Sequence, residues 1–295
     1  MVWPMRYGFY LPTRGQTATP EALETLVKRG ETLGFASVMI ADHLVFPVTI
    51  KSKYPYTVSG VFPGHGDALD QLSLMAFIAA KTSTLRLVTS VMIVPYRNPV
   101  VTAKALATIA PEFDRRGAVT DEYLRIFKML WTESPASFSG RFYRFEALRC
   151  QPQPVQKPHP PIWVGGHSKA ALRRAARLGD GWHPVGANAA VPLPPSELRL
   201  LLDELYRLTE AEGRDPRSLT ISYKAPVYDV NQQQLRSGGE RQPFSWSGPQ
   251  IADDIATYGR LGVSELVFDF RSESLAESLE RMERFGEVIR QTGGV

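Results

Sequence analysis

The chain predicts a TIM (β/α)8 barrel, a single α/β domain over residues 1–295 with inserted loops. Three observations carry this. Runs such as Ala36–Ala41 (ASVMIA) and Leu85–Val94 (LRLVTSVMIV) are apolar at nearly every position, as in strands of a parallel sheet buried on both faces. Such runs alternate with segments whose apolar residues recur at helical spacing. The units number eight once one irregular beat is included. A doubly wound sheet is the other possibility. It requires a phosphate loop after the first strand, and Pro12–Gln16 is a poor one.

Arg6–Leu11 (RYGFYL) is the first strand, closed by Pro12, and a helix opens at Thr19 or Pro20 and ends at Gly34. Ala36–Ala41 is the second strand. Residues 46–66 form a long loop rich in proline, glycine, lysine and tyrosine, of a kind usually tied to function. Ala68–Lys81 is helical, Leu85–Val94 is the third strand, and Val101–Ile109 is the next helix. Another helix, Val119–Trp131, then follows without an intervening strand, so strand four is absent from the sequence. Chain is expected to be missing between Ala110 and Pro111, so their Cα atoms should stand well over ~10 Å apart, against ~3.8 Å for a bonded pair. Ser139–Phe145 suggests an edge hairpin. The later strands are Ile162–Val164, Trp182–Val185, Leu219–Ala225 and Val263–Phe268. They alternate with helices at Lys169–Leu178, Glu197–Glu212, Pro249–Tyr258 and Leu275–Ile289. Residues 229–248 make a second polar excursion.

Several function classes recede on composition. Lys and Arg outnumber Asp and Glu by only 34 to 30 and form no basic run, which argues against nucleic acid. No stretch approaches the ~20 apolar residues of a membrane span. MVWPMRYGF lacks the apolar segment of a signal peptide. Cys150 is the only cysteine, so a cytoplasmic, reducing setting is expected.

Active-site groups of a barrel come from the C-terminal ends of its strands. That criterion selects Thr13, Arg14, Asp42, His43, Ser90, Val91, Gly165, Gly166, His167, Ser168, Trp182, His183, Phe270 and Arg271. Within PIWVGGHSKAALRRAARLGDGWHP, a strand runs through Gly165 and Gly166 into a helix capped by Ser168. This leaves backbone N–H groups suited to a phosphate, or makes an ordinary βα turn. Asp42 and His43 could pair as base and orienting partner, although neighbours on a strand face opposite ways. His43 and His183 are each either ligand-contacting or structural. His65 and His159 read as surface residues and Trp163 as core. There is no HExxH or close ligand cluster to hold a metal, and no GxSxG elbow.

The runs YGFYLP, ETLGFASVMIADH, TSVMIVPYRNPVVTAKALATI, DEYLRIFKMLWTE, FSGRFYRF and PPIWVGGHSKAALRRAARLGDGWHP resemble the bacterial luciferase-like flavin monooxygenase superfamily. They are most similar to the branch that uses the deazaflavin coenzyme F420. The resemblance covers residues 6–185, and the remainder matches in element order. It implies that Asp42 and His43 lie beside a flavin-type ring, with His43 toward the substrate. It implies a non-proline cis peptide at Ser90–Val91 against the ring's back face, and a phosphate turn at Gly165, Gly166, His167 and Ser168. It also assigns the 46–66 loop to the substrate side. Relatives carry a further strand after KALATI, some with a carboxylate that donates a proton, and no residue here matches it. The function implied is an oxidoreductase moving a hydride between F420 and a small organic substrate. An FMN-dependent monooxygenase using oxygen, or a flavin-binding barrel without turnover, are the alternatives, and a cofactor-free isomerase or hydrolase working through Asp42 and His43 is a further rival. A homodimer is expected, with Leu69, Leu72, Leu74, Met75, Phe77 and Ile78 giving one helix more apolar surface than a single sheet-facing stripe needs.

Overall fold

The computed structural model describes residues 5–43, 50, 53–54, 57–62, 68–93, 96–109, 117–151, 153–188, 190–227 and 241–291. Its strands are β1 (Arg6–Tyr10), β2 (Ser37–Ile40), β3 (Arg86–Thr89), β4 (Ala136–Ser139), β5 (Arg144–Leu148), β6 (Trp163–Gly165), β7 (Gly181–His183), β8 (Thr220–Val227) and β9 (Glu265–Asp269). The helices are α1 (Pro20–Thr32), α2 (Gln71–Ala79), α3 (Pro99–Ile109), α4 (Gly117–Thr132), α5 (Lys169–Leu178), α6 (Pro195–Ala211), α7 (Gly248–Arg260) and α8 (Leu275–Gln291). Side-chain caps fix several helix starts. Thr19 Oγ1 accepts from Ala22 N–H, Asp70 Oδ1 from Ser73 N–H and Ser168 Oγ from Ala171 N–H.

Seven strands form one curled parallel sheet in the order β3-β2-β1-β9-β8-β7-β6. The closed eight-stranded barrel expected from the alternation is therefore corrected to an open sheet. The cause is the one visible in the sequence: α3 leads toward α4 with no strand between them among the described residues, and the two helices pack together, Trp131 Nε1 donating to Ala103 O (3.3 Å). The segment around Ala110 and Pro111, and with it the separation of those two residues, lies outside the described residues, as do His65 and most of the 46–66 and 229–248 loops.

No ladder joins β3 to β6 among the described residues. Side chains bridge the seam instead. Near its base the Arg86 guanidinium lies 5.7 Å from the Trp163 ring centroid. At its top, Ser90 Oγ and His183 Nε2 are 3.4 Å apart. Within the sheet's concave face, Tyr10, Met39, Val88, Trp163 and Val267 form a core of their own, distinct from the larger core between sheet and helices. Trp163 is thus a core residue, as expected. Below this layer, Glu265 is fully buried and accepts from Ser37 Oγ (2.6 Å) and Arg86 Nη2 (2.5 Å), tying β9, β2 and β3. Gly8 makes that approach possible, since a Cβ there would stand 2.3 Å from Ser37 Oγ.

The hairpin of β4 and β5 is antiparallel and sits outside the main sheet. Glu122 of α4 anchors its turn, accepting from the N–H groups of Arg141 (2.7 Å), Phe142 (2.8 Å) and Tyr143 (2.6 Å). His159 corrects the surface placement read from its loop. Its side chain is largely buried near Trp131, with Nδ1 2.9 Å from Pro160 O.

Candidate active site

The C-terminal ends of the parallel strands gather one polar cluster. Met39, Tyr10 and Val88 share the concave face, and Tyr10 ends β1 with its hydroxyl hydrogen-bonded to Ser90 Oγ just beyond β3. The peptide bond Ser90–Val91 is cis, at the position the family resemblance implies. His183, at the end of β7, reaches Ser90 through Nε2 and Ser222 Oγ of β8 through Nδ1 (3.0 Å). Burial, and then the positive charge of Lys224, push the His183 imidazole down from the ordinary histidine value to about 3, so it is neutral at pH 7. The Lys224 Nζ stands 3.6 Å from the Tyr10 ring centroid. On β9, Asp269 receives Arg271 Nε at 2.8 Å on Oδ1 and 2.9 Å on Oδ2. Burial works against the charge of Asp269, but Arg271 outweighs it and holds the carboxyl below its usual range.

Asp42 and His43 follow β2 and part company there. Asp42 is buried and accepts from Ile93 N–H (2.7 Å), Arg97 Nη1 (2.7 Å) and Arg97 Nη2 (2.9 Å). Arg97 also reaches Asp70, the cap of α2, at 3.4 Å. These bonds commit the carboxylate to fastening the chain after Val91 to the end of β2, and none of them comes from His43. Successive strand residues face opposite sides, and the influence of Asp42 on His43 is that of its charge, which raises the His43 pKa. His43 is half-buried with its ring 5.4 Å from Phe62, and Phe62 also lies under Arg14 (5.1 Å) and beside Tyr54 (4.9 Å). Burial first, then the charges of Arg14 and Arg271, lower its pKa, while Asp42 opposes them.

The glycine turn lies across the seam. Gly166 has φ +95, the left-handed region that favours glycine, and turns the chain from β6 toward α5. A Cβ at Gly165 would sit 3.5 Å from Val91 Cγ1, so the turn directly neighbours the Ser90–Val91 segment. Ser168 caps α5. His167 is turned inward, its Nε2 accepting from Val185 N–H (3.1 Å), which leaves that nitrogen committed to the scaffold. The N–H groups of Ser168, Lys169 and Ala170 have no acceptor among the described residues, a donor set that suits an anion. No group of three or more metal-ligating side chains occurs among the described residues, and no helix there is long and apolar enough to cross a membrane.

Strand-end reasoning selected Ser90, Val91, His43, His183, Arg271 and the glycine turn, which the structure places at the C-terminal ends of the strands. It missed Tyr10, Arg97, Ser222, Lys224 and Asp269. For Lys224 a signal existed, a lysine inside the otherwise apolar run LTISYKA. For Tyr10 it was parity, since it shares a strand face with Gly8.

The model of the luciferase-like monooxygenase family matches residues 5–111 and 109–237. The chain belongs to that family. The two matched stretches meet at the point where strand four is absent. An uncharacterised protein of Mycobacterium tuberculosis is 34% identical, over 90% of this chain and 93% of its own. Family relatives with named activities divide between coenzymes. An F420-dependent glucose-6-phosphate dehydrogenase of Nakamurella multipartita is 28% identical over 72% of this chain and 64% of its own. An FMNH(2)-dependent dimethylsulfone monooxygenase of Pseudomonas putida is 28% identical over 47% of this chain and 46% of its own. The fold is shared with monooxygenase RslO1 of Streptomyces bottropensis, with a TM-score of 0.74 at 20% identity over 98% of this chain and 100% of that one. It is shared too with an F420-dependent secondary alcohol dehydrogenase, with a TM-score of 0.73 at 15% identity over 98% and 99%. The family members so described are oxidoreductases and monooxygenases of this barrel-like fold.

Proposed function

We propose that this protein is an oxidoreductase that moves a hydride between coenzyme F420 and a small organic substrate. The observation that carries the proposal is the donor set at the start of α5. Backbone N–H groups of Ser168, Lys169 and Ala170 lie open beside a glycine turn that itself abuts Val91. A phosphate-bearing coenzyme fits that chemistry, with Gly165, Gly166, His167 and Ser168 shaping the turn. Bound there, the coenzyme supplies the ring carbon that accepts or gives the hydride. Ser90 and Val91 form the wall against the ring. Asp42 positions that wall through Ile93 and Arg97. His43, neutral at pH 7, takes the hydroxyl proton of an alcohol substrate as hydride leaves its carbon, or returns it in the reverse direction. Phe62 packs beside His43 and is itself flanked by Tyr54 and Arg14, a cluster that restricts water there.

FMN-dependent monooxygenation is the second possibility, favoured by the similarity to the dimethylsulfone monooxygenase. A flavin-binding barrel without turnover is the third, favoured by the absent strand four. Anaerobic titration of the protein with oxidised and reduced F420 and FMN, followed by absorbance, separates these. Micromolar binding of F420 and turnover of an alcohol or carbonyl panel is the expected result. Binding of FMN alone with oxygen consumption favours the second possibility, and binding without turnover the third. Binding of neither coenzyme overturns all three.

A further inference from the structure

Lys224 projects a positive charge into the concave face of the sheet, where it and Arg271 share the charge of one buried carboxylate, Asp269. Its Nζ makes no ion pair or hydrogen bond among the described residues, and its contact is the face of Tyr10 at 3.6 Å. Asp269 on the adjoining strand is hydrogen-bonded by Arg271 and also feels the Lys224 charge, so one carboxylate faces two cations. Apart from Arg271, whose charge Tyr10 also feels, the polar groups around Tyr10 are neutral, namely Ser90, Ser222 and the His183 imidazole. An aromatic face supplies only part of what a half-buried ammonium loses in leaving water. The strand around Lys224 is otherwise built of the buried residues Ile221, Tyr223 and Ala225.

We propose that Lys224 is the counter-charge for the negative charge that appears on the coenzyme ring when it is reduced, so that the site prefers the reduced form. This rests on the hydride-transfer function proposed above. In that step the substrate C–H bond breaks, and its hydrogen leaves with both electrons and bonds to the ring. The substrate is oxidised and its hydroxyl proton passes to His43, while the ring is reduced and becomes one unit more negative. Lys224 stands one tyrosine ring away from Ser90, the residue of the wall facing that ring. A fixed cation there lowers the energy of the more negative state and leaves the neutral one nearly unchanged. The neutrality of His183 fits the same design, since a second positive charge beside Lys224 would be repelled.

The test is the ratio of dissociation constants for oxidised and reduced coenzyme, measured anaerobically with F420, and with FMN if that is what binds. Wild type should bind the reduced form at least about tenfold more tightly, equal to ~30 mV for a two-electron couple. Lys224→Met should abolish the preference, Lys224→Gln should do the same where methionine disturbs folding, and Lys224→Arg should keep most of it. Equal binding of the two forms by wild type, or an unchanged ratio in both neutral variants, overturns the assignment of Lys224. Failure of wild type to bind either coenzyme overturns the function proposed above as well, and is seen before any variant is made.

Discussion

His43 and His183 are both held neutral, for different ends. His43 faces Phe62 and two guanidinium groups, and its lowered pKa leaves it able to accept a proton below the pH where an ordinary histidine is half-charged. His43→Gln should lower kcat by about 10²–10⁴-fold while coenzyme affinity stays near wild type, and wild-type kcat/KM should fall on the acid side at a pH below ~6.5. Steady-state rates across pH with a parallel binding titration check both. His183 is a stability element. The unfolded chain takes up its proton near pH 6.5 and the folded chain only near 3, so the stability it contributes is complete above pH ~6.5 and is lost as pH falls toward 3. That loss is about 1.4 kcal/mol per pH unit inside the window. Urea midpoints at pH 6.5, 5.5 and 4.5 should fall in wild type and flatten in His183→Gln. The contrast between these histidines was not legible in the sequence. Both follow strand-like runs, but only the register of β7 against β8 brings His183 to Ser222.

Elements were read well where composition changes sharply and poorly where it does not. The Ser168 cap, the span of α5 and its stop at Gly179 are all as expected, because a capping residue, an apolar stripe and a glycine mark them. The third strand was read as Leu85–Val94 but ends at Thr89. Ser90 N–H still bonds Ile40 O (2.8 Å), after which the chain leaves the ladder while Val91, Met92 and Ile93 remain apolar. Apolarity reports burial rather than strand, and past Ser90 Met92 is still buried and Val91 and Ile93 half-buried although the ladder has ended. The β4–β5 hairpin depends on a single carboxylate from another element. Glu122→Ala would strand three N–H donors at Arg141, Phe142 and Tyr143, at a cost of about 3 kcal/mol, whereas Glu122→Gln should retain part of that. Chemical denaturation checks the stability, and amide exchange at those three residues should quicken in the alanine variant.

At the level of the molecule, the missing beat between α3 and α4 was legible because βα alternation is strict, and its result, an open sheet, follows from parallel strands needing their neighbours. What the chain does with the exposed edges was not legible, because it is done by pairs such as Arg86 and Trp163 that lie far apart in sequence. Assembly belongs to this scale too. On α2, Leu74, Met75 and Ile78 are buried in the core, and Leu72 and Phe77 are left half-covered. A dimer packed through that helix should sediment at about twice 32.9 kDa at micromolar concentration, and Phe77→Asp should reduce it to the monomer mass. A monomer in the wild type excludes this face as an interface.

The seam between β3 and β6 also gives the protein an internal light source. Trp163 is 5% exposed and has the Arg86 guanidinium over its ring from the opposite lip. Any outward swing of the wall lifts the cation from the indole and admits water to it. The emission of this tryptophan should then shift to longer wavelength as the wall swings and return as it closes. Coenzyme entry would be visible in a residue the chain already carries, with no dye attached, and Trp163→Phe would subtract the signal.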